Sequence, residues 1–339
     1  MVGVAIGMIG MIVMIQVLMV SDGSKRTTAG GGDAQINGTG ALHAMALGIR
    51  QSGHGMSSPK LAGCTLTLRN NVRISVLTPV TINHPDIPQG DSGSDTVLIA
   101  YGNSGGSPEG DLVTLQPASS TYAVTAPMSF SAGNWVVARP ANAGTCALRM
   151  ESVITRTEAP PNVTIAIGTP DMVGGTLFNL GSAPQFLAYA VRRGNLTVCD
   201  YTRADCANAN HTTDDDIWNP VASGIVNLRA QYGRDTAPAQ MDAIVDGFDQ
   251  NSPGVTTSAS GMPLHCAVVR ILAVRLVLVA RNGSLEKTEV TPATPEWSGS
   301  SGAPINLSAD DLWQRYRYKL FETVVPLRNL VPLGAQPGC

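Results

Sequence analysis

The chain has 339 residues, 22 basic and 25 acidic for a formal net charge of -3, and 43% of it is hydrophobic. That much apolar material builds a sizeable core over one or two domains, which excludes wholesale disorder. The charges are nearly balanced and scattered, so no basic stripe is available to neutralise phosphates and no nucleic-acid contact is expected.

The run Met1–Val20 has no charged residue and one polar side chain, Gln16. As a helix rising about 1.5 Å per residue it is about 30 Å long, the thickness of a bilayer's hydrocarbon core. A strand there would leave backbone groups unpaired in lipid. A transmembrane helix over 1–20 is therefore expected. A cleaved signal peptide fits less well, because a basic start, a shorter apolar stretch and a small-residue cleavage site are not clear. The first basic residues, Lys25 and Arg26, come after the run, which taken alone places the body in the cytoplasm. The six cysteines argue for the opposite, oxidising side, which leads to the expectation that basic residues precede Met1 in the natural chain. Gly3, Gly7 and Gly10 lower helix propensity but let helices approach closely, with Gly3 and Gly7 as a small-xxx-small pair. Membrane or filament packing is assigned to Gly3, Gly7, Gly10 and Gln16.

Over 21–54 the chain turns polar, with Ile36, Leu42, Met45, Ala46 and Ile49 recurring mostly at three- and four-residue spacings. This predicts an amphipathic continuation of the same helix. Ala29-Gly30-Gly31-Gly32 should weaken or melt it, and Ser52-Gly53-His54-Gly55 should end it.

From Cys64 onward, short β-branched runs alternate with turn residues, and 55–339 reads as a β-rich domain. Strands are predicted at Thr65–Leu68, Val72–Leu77, Thr96–Tyr101, Leu112–Leu115, Trp135–Ala138, Leu187–Val191, Gly224–Tyr232 and Val268–Ala280. The last is the strongest, a long central strand with Arg270 and Arg275 on a wetter face. Long loops fall at Gly102–Gly110 and Gln250–Pro263. Cys199 and Cys206 flank six residues and suit a local disulfide; Cys64, Cys146, Cys266 and Cys339 allow three pairings that spacing does not rank. No CxxC occurs and the five histidines are dispersed, so neither zinc nor another cofactor is indicated.

Three stretches imitate chemistry. Gly90-Asp91-Ser92-Gly93-Ser94-Asp95 resembles the loop around a trypsin-like nucleophile, but no upstream histidine base accompanies it, so it reads as a turn entering a strand. Asp214-Asp215-Asp216 offers hard oxygen ligands without the alternating spacing or glycine of a calcium loop, and reads as a solvated acidic turn. Ala29–Asp33 lacks both phosphate-loop patterns.

An apolar N-terminal helix that continues into an amphipathic one, and then a β-rich, cysteine-containing domain, resembles type IV pilins. Ala46-Leu47-Gly48-Ile49-Arg50-Gln51-Ser52-Gly53 with Cys64 after it resembles the end of the long helix in PilW-family minor pilins. Gly93–Tyr101, with Asp95 and Tyr101, is similar to that family's first strand. Ile225–Gly233, with Tyr232 and Gly233, resembles its Val-x-x-Leu-x-x-Tyr-Gly strand, and Val268–Arg275 the strand after it. Tyr316–Asn329, with Phe321, Glu322, Pro326, Arg328 and Asn329, is the most specific piece. Within it Tyr316 and Tyr318 would alternate with Arg317 and Lys319, either as a closing strand of the domain or as a partner-facing segment.

The resemblance implies an α+β, pilin-like fold with a mainly antiparallel sheet, and a low-abundance subunit of a tip or priming complex that starts pilus polymerisation. Its implied partners are other minor pilins, the major pilin, a large tip-adhesin-like protein and the inner membrane, with the body in the periplasm. It further implies a prepilin peptidase, a basic leader ending in Gly, a Phe-Ser/Thr-Leu-Ile-Glu segment, and the accompanying methylation. Met1-Val2-Gly3-Val4-Ala5 looks like the residues directly after that segment, so a start further upstream is expected and no cleavage residue is assigned. No catalytic chemistry is implied. A J-type pseudopilin of a type II secretion system shares the design. A membrane-anchored enzyme or binding module would instead show an apolar cleft with convergent titratable groups.

Overall fold

The computed structural model describes residues 2–142, 146–236, 241–253, 263–329 and 339, without the side chains of 2, 4–6, 9, 19–20 and 22–29. One helix, α1, runs from Val2 to Gln51. After it come four strands, β1 (Thr65–Thr67), β2 (Arg73–Ile74), β3 (Val80–Ile82) and β4 (Val97–Tyr101). Next are β5 (Asp111–Ala118), β6 (Thr121–Val124), β7 (Trp135–Arg139), β8 (Ala147–Arg156), β9 (Asn162–Ile165) and β10 (Thr176–Gly181). The chain finishes with β11 (Gln185–Arg192), β12 (Asn195–Asp200), β13 (Asn219–Ser223), β14 (Ile225–Arg234), β15 (Gly247–Asp249), a short α2 (Leu264–Val269), β16 (Ile271–Arg281) and β17 (Tyr318–Pro326). The molecule is β-rich with few helices.

The strands form three sheets, of which a five-stranded one, β13-β12-β11-β4-β3, is the middle layer. Val97, Ile99 and Val191 face α1, while Leu98, Ala100, Phe186 and Ala188 face a second core with Leu66, Leu148, Phe178 and Trp218. Burial on both faces explains why β4 reads as an unbroken apolar run rather than an alternation. Beside it lies a four-stranded antiparallel sheet, β15-β14-β16-β17, with α1 on one face and Trp297, Ile305 and Leu307 covering Val277 and Val279 on the other.

Between β4 and β11 the chain builds a separate unit. The order β8-β7-β10-β5-β6-β9, with β9 pairing back onto β8, closes a six-stranded antiparallel barrel. Its interior is filled by Val113, Tyr122, Phe130, Val136, Val153, Val163 and Leu177. Of this barrel, only the expected strands at Leu112–Leu115 and Trp135–Ala138 were visible in the sequence pattern. The β1–β8 pairing that attaches it is parallel.

Three expectations are corrected. The helix is unbroken through Gly30–Gly32, because tertiary packing outweighs intrinsic propensity: Gly30 lies against Asn282, where an added Cβ would sit 3.3 Å from that side chain. Ile36 is 71% exposed. The buried stripe is instead Ala34, Ala41, Met45, Ala46 and Ile49, and at about 100° per residue Ile36 points some 200° away from Ala34. The predicted strand Val268–Ala280 begins only at Ile271, since Leu264–Val269 forms α2, which packs Cys266, Val268 and Val269 inward.

Among the described residues no helix is long and apolar enough to cross a membrane. The expected span over 1–20 lies partly outside those residues. Its described apolar side chains, Met8, Met11, Ile12, Val13, Met14, Ile15, Val17 and Leu18, are all exposed.

Helix and sheet approach closely at Gly38, where an added Cβ would fall 2.1 Å from Cε2 of Phe321 on β17. Gly38→Val should therefore push the ring off its seat and lower the unfolding free energy by about 1–3 kcal/mol, the usual range for overpacking. In a double-mutant cycle measured by urea titration, Phe321→Ala should absorb most of that loss. Additive costs would show that the two residues do not meet.

Candidate functional site

The surface that organises this chain is the seat for the C-terminal half of α1. The stripe needs small residues, because the helix lies across β16 and β17 on one sheet and reaches β4 and β13 on the other. Ala34, Gly38 and Ala41 let the backbone come close, and Met45 and Ile49, fully buried, fill the groove between the sheets at about 1.5–3 kcal/mol each. Asn37 Nδ2 donates to the Ser223 carbonyl at 3.2 Å and fixes the rotation of the helix.

At its far end the helix is closed by residues distant in sequence. Helical carbonyls there have no intrahelical donor. Asn329 Nδ2 lies 3.0 Å from the carbonyl oxygens of both Gln51 and Ser52. Gly53 turns the chain with φ of +78°, a conformation that favours glycine, and its N–H donates to Ala100 O at 2.9 Å. Asn329, just past β17, therefore caps the N-terminal helix.

A buried polar latch joins the two sheets beneath the seat. Asp95 receives Arg229 Nη1 at 2.9 Å and Asn83 Nδ2 at 3.0 Å on Oδ1, and Ala230 N at 2.9 Å and Gln250 Nε2 at 2.6 Å on Oδ2. Burial pushes the Asp95 carboxyl above the usual carboxylate range, opposed by Arg229 and these donors. Tyr232 is enclosed: its hydroxyl accepts from Ile82 N at 2.6 Å and meets Ser252 Oγ at 3.2 Å, and burial raises its pKa to about 12. Gly233 next to it leaves a Cβ only 3.0 Å from Phe248 and 3.1 Å from Val245.

The remaining motif residues are dispersed. Arg275 stacks 3.6 Å over the Phe248 ring and lies 3.7 Å from Glu322. Tyr101 is half-buried opposite Gln185, Pro326 ends β17 opposite Ala273, and Arg328 is exposed. Gly3, Gly7 and Gly10 have nothing within 4 Å of an added Cβ, and Gln16 is exposed. The six cysteines form Cys64–Cys146, Cys199–Cys206 and Cys266–Cys339, with Cα–Cα distances of 4.7, 5.9 and 5.1 Å. The first clips the barrel to the segment after α1 and the third ties the last residue to α2.

Ser92 is exposed in its turn, and Asp215 pairs with Arg193 in an exposed bend. A cavity of about 320 Å³ collects Asp91, Arg193, Arg281, Asp310 and Tyr318. Its charges are already engaged. Arg281 bonds Asp310 at 2.7 Å, and Asp91 accepts the backbone N–H groups of Arg193 and Gly194 at 2.9 and 2.8 Å. Sequence reading named Asp95 and Asn329 but missed Asn83, Arg229, Gln250 and Gly38. Only the glycine, on the α1 stripe four residues from Ala34, left a signal.

Residues 188–329 match the family described as type IV pilus-assembly protein W. This stretch is PilW-like. It contains β12 to β17 with most of β11, and stops at Asn329, so the PilW stretch supplies most of the seat and the cap of α1. It ties the C-terminal part of the chain to type IV pilus assembly, while α1 and the barrel lie outside it. No curated protein matches the chain. Among solved structures it is similar to the type IV-like pilin TTHA1219 from Thermus thermophilus, at 16% identity over 59% of this chain and 86% of that one. The TM-score of 0.26 is too low for that likeness to carry an argument.

Asp95 holds four donors with two acceptor oxygens, and an amide would turn one of those oxygens into a donor facing donors. Asp95→Asn should cost about 3 kcal/mol or more, as for other broken buried ion pairs, with a Tm lowered by several degrees in calorimetry. A change within about 0.5 kcal/mol would mean that the latch is not what joins the sheets.

Proposed function

We propose that the chain is a structural subunit of the type IV pilus, a minor pilin that helps initiate polymerisation within a tip or priming complex, and that it is not an enzyme. One observation carries the reading: the PilW segment coincides with the β-strands that hold α1 and with the residue that caps it. A subunit delivered by its helix needs its recognition domain fixed rigidly to that helix, which this seat does.

The apolar run Met1–Val20 is proposed to lie in the inner membrane and then in the filament core, where helix packing replaces lipid contact and Gly3 and Gly7 give close approach. The domain then stands in the periplasm, where the three disulfides are at home. Other minor pilins, the major pilin and a large tip-adhesin-like protein are its proposed partners, and a prepilin peptidase acts on it if the natural chain carries a leader.

Deleting the gene in its own host should reduce surface pili at least tenfold by electron microscopy, with restoration by the full natural reading frame. Unchanged piliation accompanied by a loss of protein secretion would assign the chain to a secretion pseudopilus instead.

A further inference from the structure

The four-stranded sheet ends at β17, and the bonding pattern along that strand shows which of its backbone groups are spoken for. Leu327 N donates to Leu272 O at 2.8 Å and Asn282 N to Arg317 O at 3.0 Å, one bond at each end of an unbroken register from Tyr318 opposite Arg281 to Pro326 opposite Ala273. In an antiparallel ladder bonded and non-bonded pairs alternate, so the odd-numbered residues from Arg317 to Leu327 bond inward to β16. The N–H and C=O groups of Tyr318, Leu320, Glu322 and Val324 therefore point out of the sheet's edge, and none has a hydrogen-bond partner among the described residues.

Exposed edges of this length are normally blunted by charge, proline or a bulge. Here Pro326 lies at the very end, the register has no bulge, and Val324 on the open side is 46% exposed. The charge along the edge is uneven. Glu322 is balanced by Arg275 and Arg317 by Glu286, but Lys319 and Arg328 have no acidic partner among the described residues.

We infer that the outer edge of β17 is a strand-addition site for an extended segment of a partner protein, about nine residues long and acidic towards both ends. Main-chain pairing supplies the affinity and the two free cations, Lys319 near the start of β17 and Arg328 in the turn just past its end, supply the selection. A second copy of this chain fits less well. In the two-fold pairing that uses all the outward groups, Tyr318 meets Val324, Leu320 meets Glu322 and Lys319 meets Thr323, so the free lysine gains no acidic partner. The inference names a kind of partner for the assembly role and so rests on that reading, but its test is a binding experiment that stands apart from piliation.

The test uses the full chain in detergent and two labelled probes, Glu-Val-Thr-Val-Thr-Val-Thr-Val-Glu and the same peptide with lysine at both ends. Fluorescence anisotropy should show the acidic-ended peptide binding at least tenfold more tightly. Val324→Pro deletes one outward N–H and leaves the β16 ladder intact, so it should weaken binding at least tenfold with an unchanged circular dichroism spectrum; Lys319→Glu should remove the preference for acidic ends. Hydrogen exchange on the wild-type chain gives a readout independent of any variant: the amides of Leu320, Glu322 and Val324 should exchange quickly alone and slowly with the peptide. The inference is overturned if neither peptide binds, if those amides are protected without peptide, or if binding ignores Val324→Pro. A dimer of the chain that Val324→Pro dissolves would overturn it too, by giving the edge to a second copy. If the edge fails while piliation still depends on the gene, only the strand-addition site falls.

Discussion

The structure depends on one packing constraint: the C-terminal half of α1 has to bury a narrow stripe of small residues across two sheets at once. A helix of fifty residues gains little from its own propensities where it carries eight glycines before Gly40, and tertiary contact is what fixes its course. Gly38 beneath Phe321 sets how closely the helix approaches β17, and Met45 and Ile49 fill the seam between the sheets. Asn329 and Gly53 then close the helix end, so the first and last described segments of the body meet at one point. The Asp95–Arg229 latch lies below, holding the sheets at the spacing the helix requires.

The barrel between β4 and β11 is an addition of another kind. It closes on itself, fills its own interior and touches the rest through the core around Leu66, Phe178 and Trp218 and through the Cys64–Cys146 bridge. Because a closed barrel has no free edges within it, it adds surface without opening new strand-pairing sites. Residues 188–329, the PilW segment, begin only after it. The chain thus divides into a part that seats and caps the helix, most of it within the stretch that matches PilW, and a barrel that lies outside that match.

How much of this the sequence disclosed depended on whether a residue's reason for being there was local. The long helix, its end at Ser52–Gly55, the strand before Tyr101 and the Cys199–Cys206 pair all leave short-range signals. The register of the helix stripe did not: Ile36 stood out as an apolar residue at a suitable spacing, while the true contacts at Ala34, Gly38 and Ala41 are small residues whose value lies in what they let come near. Asp95 was recognisable only as part of a motif, since its partners Asn83, Arg229 and Gln250 lie far apart in the chain. Most barrel strands escaped because they are short and their closure is set by the β8–β9 pairing, a contact no period along the sequence encodes.

The central claim, that the PilW segment is the rigid seat of α1, is tested most directly by hydrogen exchange along the helix in the full chain. If the seat holds, the amides of residues 38–51 exchange at the same slow rate as the central residues of β14 and β16 and lose protection together with them in denaturant. Exchange of 38–51 at the rate of an isolated helix, with β14 and β16 still protected, would contradict the account, because the helix would then be tethered to the domain and not built into it.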